Sequence, residues 1–287
     1  MGLDSHILSE ELRLLGVFTF GSQAVLNKAM RGARMSTVST PGGLVRFAQL
    51  KGDNSIERIA HDARTDEYGL RRTSARAPGL LIDVGANVGD MTIAMAQLRP
   101  QKQVVALEPV PSTYFVLRLN LLLNNVTQLR GLEEIGPRGR AGVLALNAAV
   151  TGDPKAANAS VTVLSGPTSQ DARIESAAFL SDQNRTRKYL KWRRARVPMV
   201  HLHSTLGGWP SVELLKIDCE LCEYQLIPQV RTWFSDRHQV RFVAGELHSG
   251  ARIAPATRRT VSDALVARGC KAARYESIGR WNTRMLC

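Results

Sequence analysis

The feature that most restricts the fold is a short apolar run that ends directly in a glycine-containing loop. Leu80 to Val84 reads LLIDV, the loop GANVGD follows, and a helix-like segment runs from Met91 to Leu98. A continuous apolar run of this length is typical of a strand that is buried on both faces of a parallel sheet. Pro100 predicts the end of the helix. The stretch therefore predicts one strand, loop and helix unit of an α/β domain.

The alternation of strand-like and helix-like segments continues along the chain. We predict one helix from Ser112, its capping residue, to Leu123, and another from Pro255 to Arg268. Further strands are predicted at residues 103–107, 142–150, 214–217 and 239–247, with a loop at 131–141 and a long polar excursion at 151–196. Strands that alternate with helices indicate a doubly wound, mostly parallel sheet, as in Rossmann-like folds.

The chain divides, in our interpretation, into an N-terminal extension and one larger domain. Residues 1–75 form the extension, and residues 76–287 form the domain, with a basic insertion around 151–196. No acidic residue occurs from Leu12 to Gly52, which is compatible with an organellar transit segment; the alternative is a helix and loop that lead into the domain. The insertion ends in RTRKYLKWRRAR, for which we predict a flexible basic flank near the site, because so many cations cannot be buried together.

Charge and cysteine content limit the classes of function. The 287 residues carry a net charge of +13, which permits a nucleic acid, a phosphorylated substrate or an acidic membrane surface as partner without selecting one. No apolar run approaches the roughly 18–20 residues that span a bilayer, so we expect no stable membrane insertion. Four cysteines in a chain of this length predict no disulfide scaffold and a reducing, intracellular compartment, cytoplasmic or organellar.

The glycine loop DVGANVGD suggests a specific ligand. Its glycines, Gly85 and Gly89, do not have the spacing of the dinucleotide fingerprint G-x-G-x-x-G. The loop does fit the one by which nucleotide-fold methyltransferases hold S-adenosylmethionine, where a residue without a Cβ lets the backbone approach the amino acid end of the ligand. Asp83 could face the ammonium group, and Asn87 tolerates unusual backbone angles. Glu108, at the end of the next strand, occupies the position that hydrogen-bonds ribose hydroxyls.

The chain resembles the FkbM-like methyltransferases, a class I family that depends on S-adenosylmethionine. The matching stretches are LIDVGANVGDMTI, VVALEPVPSTYFVLRLNLLLNN, NAAV, LLKIDCELCEYQLI and GELH. The resemblance implies a seven-stranded methyltransferase fold and methyl transfer, often to oxygen. It also implies a set of cofactor-contacting residues, with Ala149 beside the adenine: Asp83, Gly85, Ala86, Asn87, Gly89, Glu108, Pro109 and Ala149. The chain departs from the family at Leu221, where glycine is usual, and at Leu202-His203, where Leu-Asp is common.

A group of carboxylates follows the predicted fourth and fifth strands. Asp218, Glu220 and Glu223 come after one strand, and Glu246 and His248 end the next. Carboxyl ends of parallel strands meet at the edge where open α/β folds bind ligands. We therefore predict that these five residues act on the methyl acceptor, with His248 as general base and a glutamate orienting the substrate. The alternatives are a hydrogen-bonding loop residue for His248 and a solvated helix face for Glu223.

The spacing of Cys219 and Cys222 raises the alternative of a metal or redox site. A structural zinc site needs four ligands, and the other two cysteines, Cys270 and Cys287, have no paired spacing. A redox Cys-x-x-Cys motif usually opens a helix in a thioredoxin-like unit without flanking carboxylates. We assign no metal, although Asp218, Glu220 and His248 could hold a hard cation.

Three functional hypotheses follow from these residues. The leading one is S-adenosylmethionine-dependent O-methylation of a small-molecule hydroxyl or carboxylate, with an acceptor that could be anionic. The second is RNA methylation, which the net charge and the segment RKYLKWRRAR support. The third is a non-catalytic scaffold on the same fold that binds S-adenosylmethionine, supported by the departures at Leu221 and His203.

Overall fold

The computed structural model describes most of the chain between residues 34 and 287. The described residues are 34–40, 42–49, 65–75, 79–166, 172–174, 193–206, 211–220, 222–229, 240–248, 255–277 and 280–287. The strands are β1 (Arg34–Thr40), β2 (Gly43–Gln49), β3 (Leu80–Val84), β4 (Gln103–Leu107), β5 (Gly142–Leu146), β6 (Ala149–Thr151), β7 (Ser160–Ser165), β8 (Ala172–Ile174), β9 (Arg193–His201), β10 (Val212–Ile217), β11 (Val240–Leu247), β12 (Lys271–Ser277) and β13 (Arg280–Leu286). The helices are α1 (Asp90–Leu98), α2 (Pro111–Leu123), α3 (Leu202–Leu206), α4 (Glu223–Gln229) and α5 (Pro255–Ala267).

A seven-stranded sheet forms the centre of the fold. Its strand order is β12-β13-β11-β10-β3-β4-β5. Strands β11, β10, β3, β4 and β5 are parallel, whereas β13 runs antiparallel to both of its neighbours. This arrangement confirms the prediction of a doubly wound, mostly parallel, seven-stranded sheet.

Both faces of this sheet are covered, as the continuous apolar strands require. Side chains of a strand alternate between the two faces. Leu81 and Leu214 lie in a cluster with residues of α1 and α2, whereas Ile82 and Leu215 lie in a second cluster with residues of α4 and α5. In the described part of the chain, helices cover both faces of the central strands and leave the strand ends accessible. The predicted site residues lie at the carboxyl ends.

The predicted strand 142–150 is wrong in its second half. The structure ends β5 at Leu146 and starts a separate strand, β6, at Ala149. Asn147 lies between them and donates hydrogen bonds to the backbone oxygens of Glu108 and Pro109, at 2.8 and 3.1 Å. These bonds hold the segment after β5 beside the loop after β4. Strand β6 then pairs with β9 instead of continuing the central sheet.

The start of α2 also differs from the prediction. The helix begins at Pro111, and Val110, not Ser112, is the capping residue. Proline suits the first position of a helix because its φ is already helical and its missing N–H would have no partner there.

The excursion at 151–196 contains a second sheet rather than only loop. Its strand order is β6-β9-β7-β8, with β9 antiparallel to β7. The basic segment is described only from Arg193 onward; there it is a strand whose arginines Arg193, Arg194 and Arg196 are exposed. The prediction of a flexible flank is therefore wrong for this part, and residues 185–192 lie outside the described residues.

Residues 34–40 and 43–49, assigned from sequence to a transit segment or a helix and loop, form the antiparallel pair of β1 and β2. Val45 and Phe47 are fully buried in the cluster under α1 and α2. The backbone N–H groups of Arg46 and Ala48 donate to the side-chain oxygens of Asn124 and Asn120, each at 2.8 Å. The rest of the proposed transit segment lies outside the described residues. So do residues 52–64, where the family resemblance also predicts a helix that leads into the domain, and the boundary at residue 75 stays a prediction.

Helix length also bears on membrane association. None of the described helices has the length and apolarity that crossing a membrane requires.

We predict that Gly245→Ala forces β10 and β11 apart. A Cβ built on Gly245 would overlap the backbone oxygen of Ile217 on the neighbouring strand. Overpacking of this kind typically costs about 1–3 kcal/mol of unfolding free energy, which urea unfolding would measure. The control is Gly136→Ala, because a Cβ at Gly136 meets no atom within 4 Å. Equal unfolding free energies for the two variants would contradict the prediction.

Candidate active site

A cleft lies at the carboxyl edge of the central sheet, between the loop after β3 and the loop after β10. It encloses about 420 Å³, part of which is open to solvent. The lining residues are Val84, Gly85, Leu107, Pro109, Ala148, Ala149, Val150, Val163, Cys219, Glu220 and Cys222. Apolar walls with one carboxylate suit an organic ligand whose polar groups are few and localised.

The glycine loop approaches the backbone of the β10 loop closely. Gly85 has a φ of 76°, in the left-handed region, and a Cβ at this position would overlap the backbone oxygen of Asp218. Only glycine satisfies both conditions without strain. Asn87 has a φ of 49°, which asparagine tolerates better than most residues. The expectation that Asn87 takes an unusual backbone angle is confirmed, whereas close approach of Gly85 to a ligand stays a prediction.

Glu108 lies beneath the same loop and fixes its shape. One carboxylate oxygen accepts the N–H of Asn87 at 3.0 Å, and the other accepts the N–H of Val110 at 2.8 Å. Burial raises the pKa of Glu108 to about 7, although the two backbone hydrogen bonds oppose that shift. The carboxylate therefore titrates near neutral pH, where its charge decides how well it accepts a further hydrogen bond.

Asp83 does not face the cleft, contrary to the prediction that it meets the ammonium group of the ligand. Its side chain is fully buried, with one oxygen 2.6 Å from the Thr92 hydroxyl and the other 3.0 Å from Lys216 Nζ. Lys216 Nζ also donates to the backbone oxygen of Gly85 at 2.8 Å. Asp83 thus supports the glycine loop from beneath.

The other predicted cofactor residues divide between wall and scaffold. Pro109 and Ala149 line the cleft. Ala86 is buried in the apolar cluster that includes residues of α1. Gly89 caps α1, and a Cβ on it would press against Leu117. Cofactor contact by these residues stays a prediction.

The predicted acceptor-side residues converge on one imidazole. His248 Nδ1 lies 3.0 Å from Glu223 Oε1, and the backbone N–H of His248 donates to the same oxygen at 2.8 Å. Nε2 of His248 lies 3.4 Å from Asp218, 3.6 Å from Glu220 and 3.6 Å from Glu246. Glu223 is fully buried, so its interpretation as part of a solvated helix face is wrong.

His248 and Glu220 are placed for different tasks. Burial opposes protonation of His248, but the hydrogen bond that its ring donates to Glu223 and the charges of the neighbouring carboxylates outweigh it and raise its pKa to about 10. The imidazole is therefore protonated at neutral pH and is no free base in this state. Only Glu220 among the five residues lines the cleft, with its side chain about one third exposed (32%).

The cysteines contradict the expectation of free thiols. Cys219 is disulfide-bonded to Cys222, and Cys270 is disulfide-bonded to Cys287. The first pair closes a loop around Glu220, whose φ of 56° is unusual for a residue other than glycine. Disulfides persist mainly in oxidising surroundings. The two pairs therefore do not support the prediction of a reducing compartment.

Two contributors to the site were missed from sequence. Lys216 lies in the middle of the apolar strand LLKI, and a charged residue there signals a buried partner. Tyr68 donates its hydroxyl to Asp218 Oδ2 at 3.0 Å, and the sequence around Tyr68 gives no signal of this contact.

Comparison with known proteins identifies the family of this chain. The model described as "Methyltransferase FkbM domain" matches residues 83–264, which is more than half of the chain. The chain belongs to this family. The resemblance seen in the sequence is thereby confirmed.

Individual relatives are more distant. Methyltransferase sdnD of Sordaria araneosa is 36% identical over 66 residues, which cover 23% of this chain and 26% of the fungal protein. Among solved structures, a precorrin-6y C5,15-methyltransferase from Geobacter metallireducens has 12% identity and a TM-score of 0.39, covering 79% of this chain and 87% of that one. A putative O-methyltransferase from Klebsiella pneumoniae has 15% identity and a TM-score of 0.38, covering 82% and 89%.

We predict that Lys216→Met severely destabilises the protein. The change removes the buried partner of Asp83 and leaves its carboxylate uncompensated, which typically costs about 3–5 kcal/mol. Burial opposes the charge of Lys216, but Asp83 and Asp218 outweigh it and hold its pKa above the ordinary value, so the ammonium group is charged in the native protein.

A second substitution provides the control for this prediction. Adding Asp83→Asn to Lys216→Met removes the stranded charge and keeps an oxygen for the Thr92 hydroxyl, so part of the stability should return. Denaturant unfolding of the two single variants and the double variant measures the coupling. A double variant that loses the sum of both single losses would show that the pair is not coupled.

Proposed function

We propose that the protein transfers a methyl group from S-adenosylmethionine to a hydroxyl group of a small-molecule acceptor. The observation that supports this most is the cleft itself, which is lined by Gly85 of the glycine loop and by Glu220 of the neighbouring loop after β10. The residues of the glycine loop would hold the methyl donor, and Glu220 would be the nearby carboxylate available to the acceptor.

The loop offers the groups that this cofactor needs. The side-chain oxygen of Asn87 is buried and has no hydrogen-bond partner among the described residues, so a ligand donor could satisfy it. Both oxygens of Glu108 keep one lone pair for ribose hydroxyls. Pro109, Ala149 and Val163 supply an apolar wall for a flat base. When bound, S-adenosylmethionine supplies an electrophilic methyl group on a sulfonium.

On the acceptor side, Glu220 is the group we assign to the hydroxyl. Its carboxylate borders the cleft and can accept the hydroxyl proton as the oxygen attacks the methyl carbon. His248 lies behind it and is almost fully buried, so it positions the carboxylates rather than touching the acceptor. A carboxylate acceptor is less suited, because like charges repel in a cleft of low polarity.

RNA is the second candidate acceptor, supported by the exposed arginines of β9. Ala195 pairs with Val163, which lines the cleft. Because strand residues alternate, Arg194 and Arg196 lie on the face of β9 opposite to Ala195. Arg194 and Arg196 are therefore not placed to bind an RNA strand that enters the cleft. This placement favours a small-molecule acceptor over RNA.

The experiment that tests the proposal uses donor labelled in its methyl group. The full chain is incubated with it and with separate metabolite and RNA fractions of a cell extract, and the labelled product is identified. Label in a small-molecule ether supports the proposal. Label in RNA, with binding that weakens steeply as salt rises, selects the alternative. Donor binding without transfer to any fraction selects the non-catalytic scaffold.

We predict that donor affinity falls as the pH drops below about 7. The pKa of Glu108 is raised to about 7, so the carboxyl gains a proton below that pH and loses its charge-assisted bonds to ribose. Glu108→Gln should bind more weakly at pH 8 and show no such decline toward pH 6. Calorimetric titration at both pH values measures this. An equal decline in the variant would assign the pH dependence to another group.

We also predict that Glu220→Gln loses turnover and keeps donor affinity. Loss of a general base typically costs 10²–10⁴-fold in rate, on the order of 3–5 kcal/mol, and Glu220 lies on the side of the cleft away from Glu108. Methyl incorporation from the labelled donor and donor calorimetry are measured on the same preparation. The matched control is Glu133→Gln, an exposed residue in the turn before β5. Normal incorporation by Glu220→Gln would remove Glu220 from the mechanism.

A further inference from the structure

We propose that Asp218, Glu246 and His248 form a binding site for one divalent cation at the acceptor end of the cleft. One ligand atom of each residue lies within 4.8 Å of the others. Glu246 and His248 are buried and Asp218 is partly exposed, so the group opens toward solvent on one side only. The three residues come from the ends of β10 and β11, which are adjacent parallel strands and hold them rigidly.

The spacing of these atoms suits ligands around an ion better than hydrogen-bond partners. Nε2 of His248 lies 3.4 Å from Asp218 Oδ1 and 3.6 Å from Glu246 Oε2. Good N–H···O hydrogen bonds are shorter, about 2.9–3.0 Å. Two ligand atoms that are each about 2.1–2.2 Å from one cation lie roughly 3.0–3.6 Å from each other. Asp218 Oδ1 and Glu246 Oε2 also lie within 4.8 Å of each other. A cation bound here would replace the proton on Nε2 of His248, because only the neutral imidazole ligates a metal.

Two residues outside the group hold its ligands in place, which is a second observation in favour of the site. A histidine that ligates a metal usually donates its other ring nitrogen to a carboxylate, which fixes the ring. Nδ1 of His248 has that contact, 3.0 Å from Glu223 Oε1. Asp218 is oriented in the same way, because its Oδ2 accepts the Tyr68 hydroxyl at 3.0 Å and its Oδ1 faces His248. Glu223 and Tyr68 thus hold two of the three ligands from outside.

The donor set indicates which ion it would take. Carboxylate oxygens suit Mg²⁺ and Mn²⁺, and a single imidazole shifts the preference toward Mn²⁺. A second group, Cys219, Cys222 and Glu223, also has metal-like spacing. Its sulfurs are joined in a disulfide and are therefore not thiolate ligands.

The role of the ion rests on the proposed function. Three protein ligands would leave coordination positions for other groups, and the acceptor hydroxyl oxygen could bind the cation there, near Glu220, whose Oε1 lies 3.6 Å from His248 Nε2. The hydroxyl proton passes to the Glu220 carboxylate, and the oxygen lone pair forms the new bond to the methyl carbon. The bond from that carbon to sulfur breaks with its electron pair, which leaves a neutral thioether. The cation lowers the cost of negative charge on the attacking oxygen.

The test is a titration of the full chain with Mn²⁺, without methyl donor. Binding is measured as the decrease in the paramagnetic signal of free Mn²⁺. We expect one Mn²⁺ per chain and competition by Mg²⁺. Asp218→Asn and Glu246→Gln should each abolish binding, and Glu223→Gln should weaken it by about 10–100-fold, as loss of a ligand-orienting partner does. Glu133→Gln should bind like the unaltered chain, and circular dichroism checks that every variant is folded.

The outcomes separate this inference from the proposed function. No binding of Mn²⁺ up to about 1 mM, the weak end of biological cation sites, overturns the inference. Binding that survives in both folded variants, Asp218→Asn and Glu246→Gln, overturns it as well. Binding that is lost in Cys219→Ser but kept in Asp218→Asn would move the site to the cysteines. Calorimetry with S-adenosylmethionine is run separately: donor binding without Mn²⁺ binding rejects only the ion, and Mn²⁺ binding without donor binding rejects only the proposed function.

Discussion

The buried ion pair between Lys216 and Asp83 is the interaction on which the geometry of the site depends. Lys216 is only 4% exposed and lies on a central strand, so its charge must be met from inside the protein. It meets the carboxylate of Asp83, the backbone oxygen of Gly85 and, at 4.0 Å, Asp218. One ammonium group thereby ties the loop after β3 to the loop after β10. The same cation therefore holds both loops that border the cleft.

The remaining charges follow the same rule, that buried ionic groups persist where partners satisfy them. Glu108 is met by two backbone N–H groups, and Glu223 is met by the backbone and ring of His248. These partners belong to loops that follow different strands. Satisfying the charges therefore also fixes the loops relative to one another, which is what a binding site between loops needs.

The position of Glu220 shows how local backbone strain serves the cleft. Its left-handed φ costs conformational energy for a residue with a side chain. The disulfide between Cys219 and Cys222 closes the chain on both sides of it, so the strained turn has fewer ways to relax. The consequence is that this one carboxylate borders the cleft while Glu223 and Glu246 are buried behind it.

The sequence by itself determined the sheet, the glycine loop and the composition of the site. Apolar runs such as Leu80–Val84 and the loops that follow them are local signals, because strand burial and glycine conformations depend on nearby residues. The convergence of Asp218 and His248 could also be predicted, since the carboxyl ends of neighbouring parallel strands must meet. The hairpin at 34–49 and the split at Asn147 could not be predicted, because each depends on hydrogen bonds to residues distant in the chain.

Only the tertiary structure decided which carboxylate does what. From sequence, Asp83 lies near the end of one apolar strand and Glu220 follows another, and both are acidic residues at the carboxyl side of the sheet. The fold buries Asp83 against Lys216 and brings Glu220 to the cleft. It also encloses His248 among carboxylates, which changes its protonation and its role. These differences arise from burial and from charges on other strands, and those distances exist only once the chain has folded.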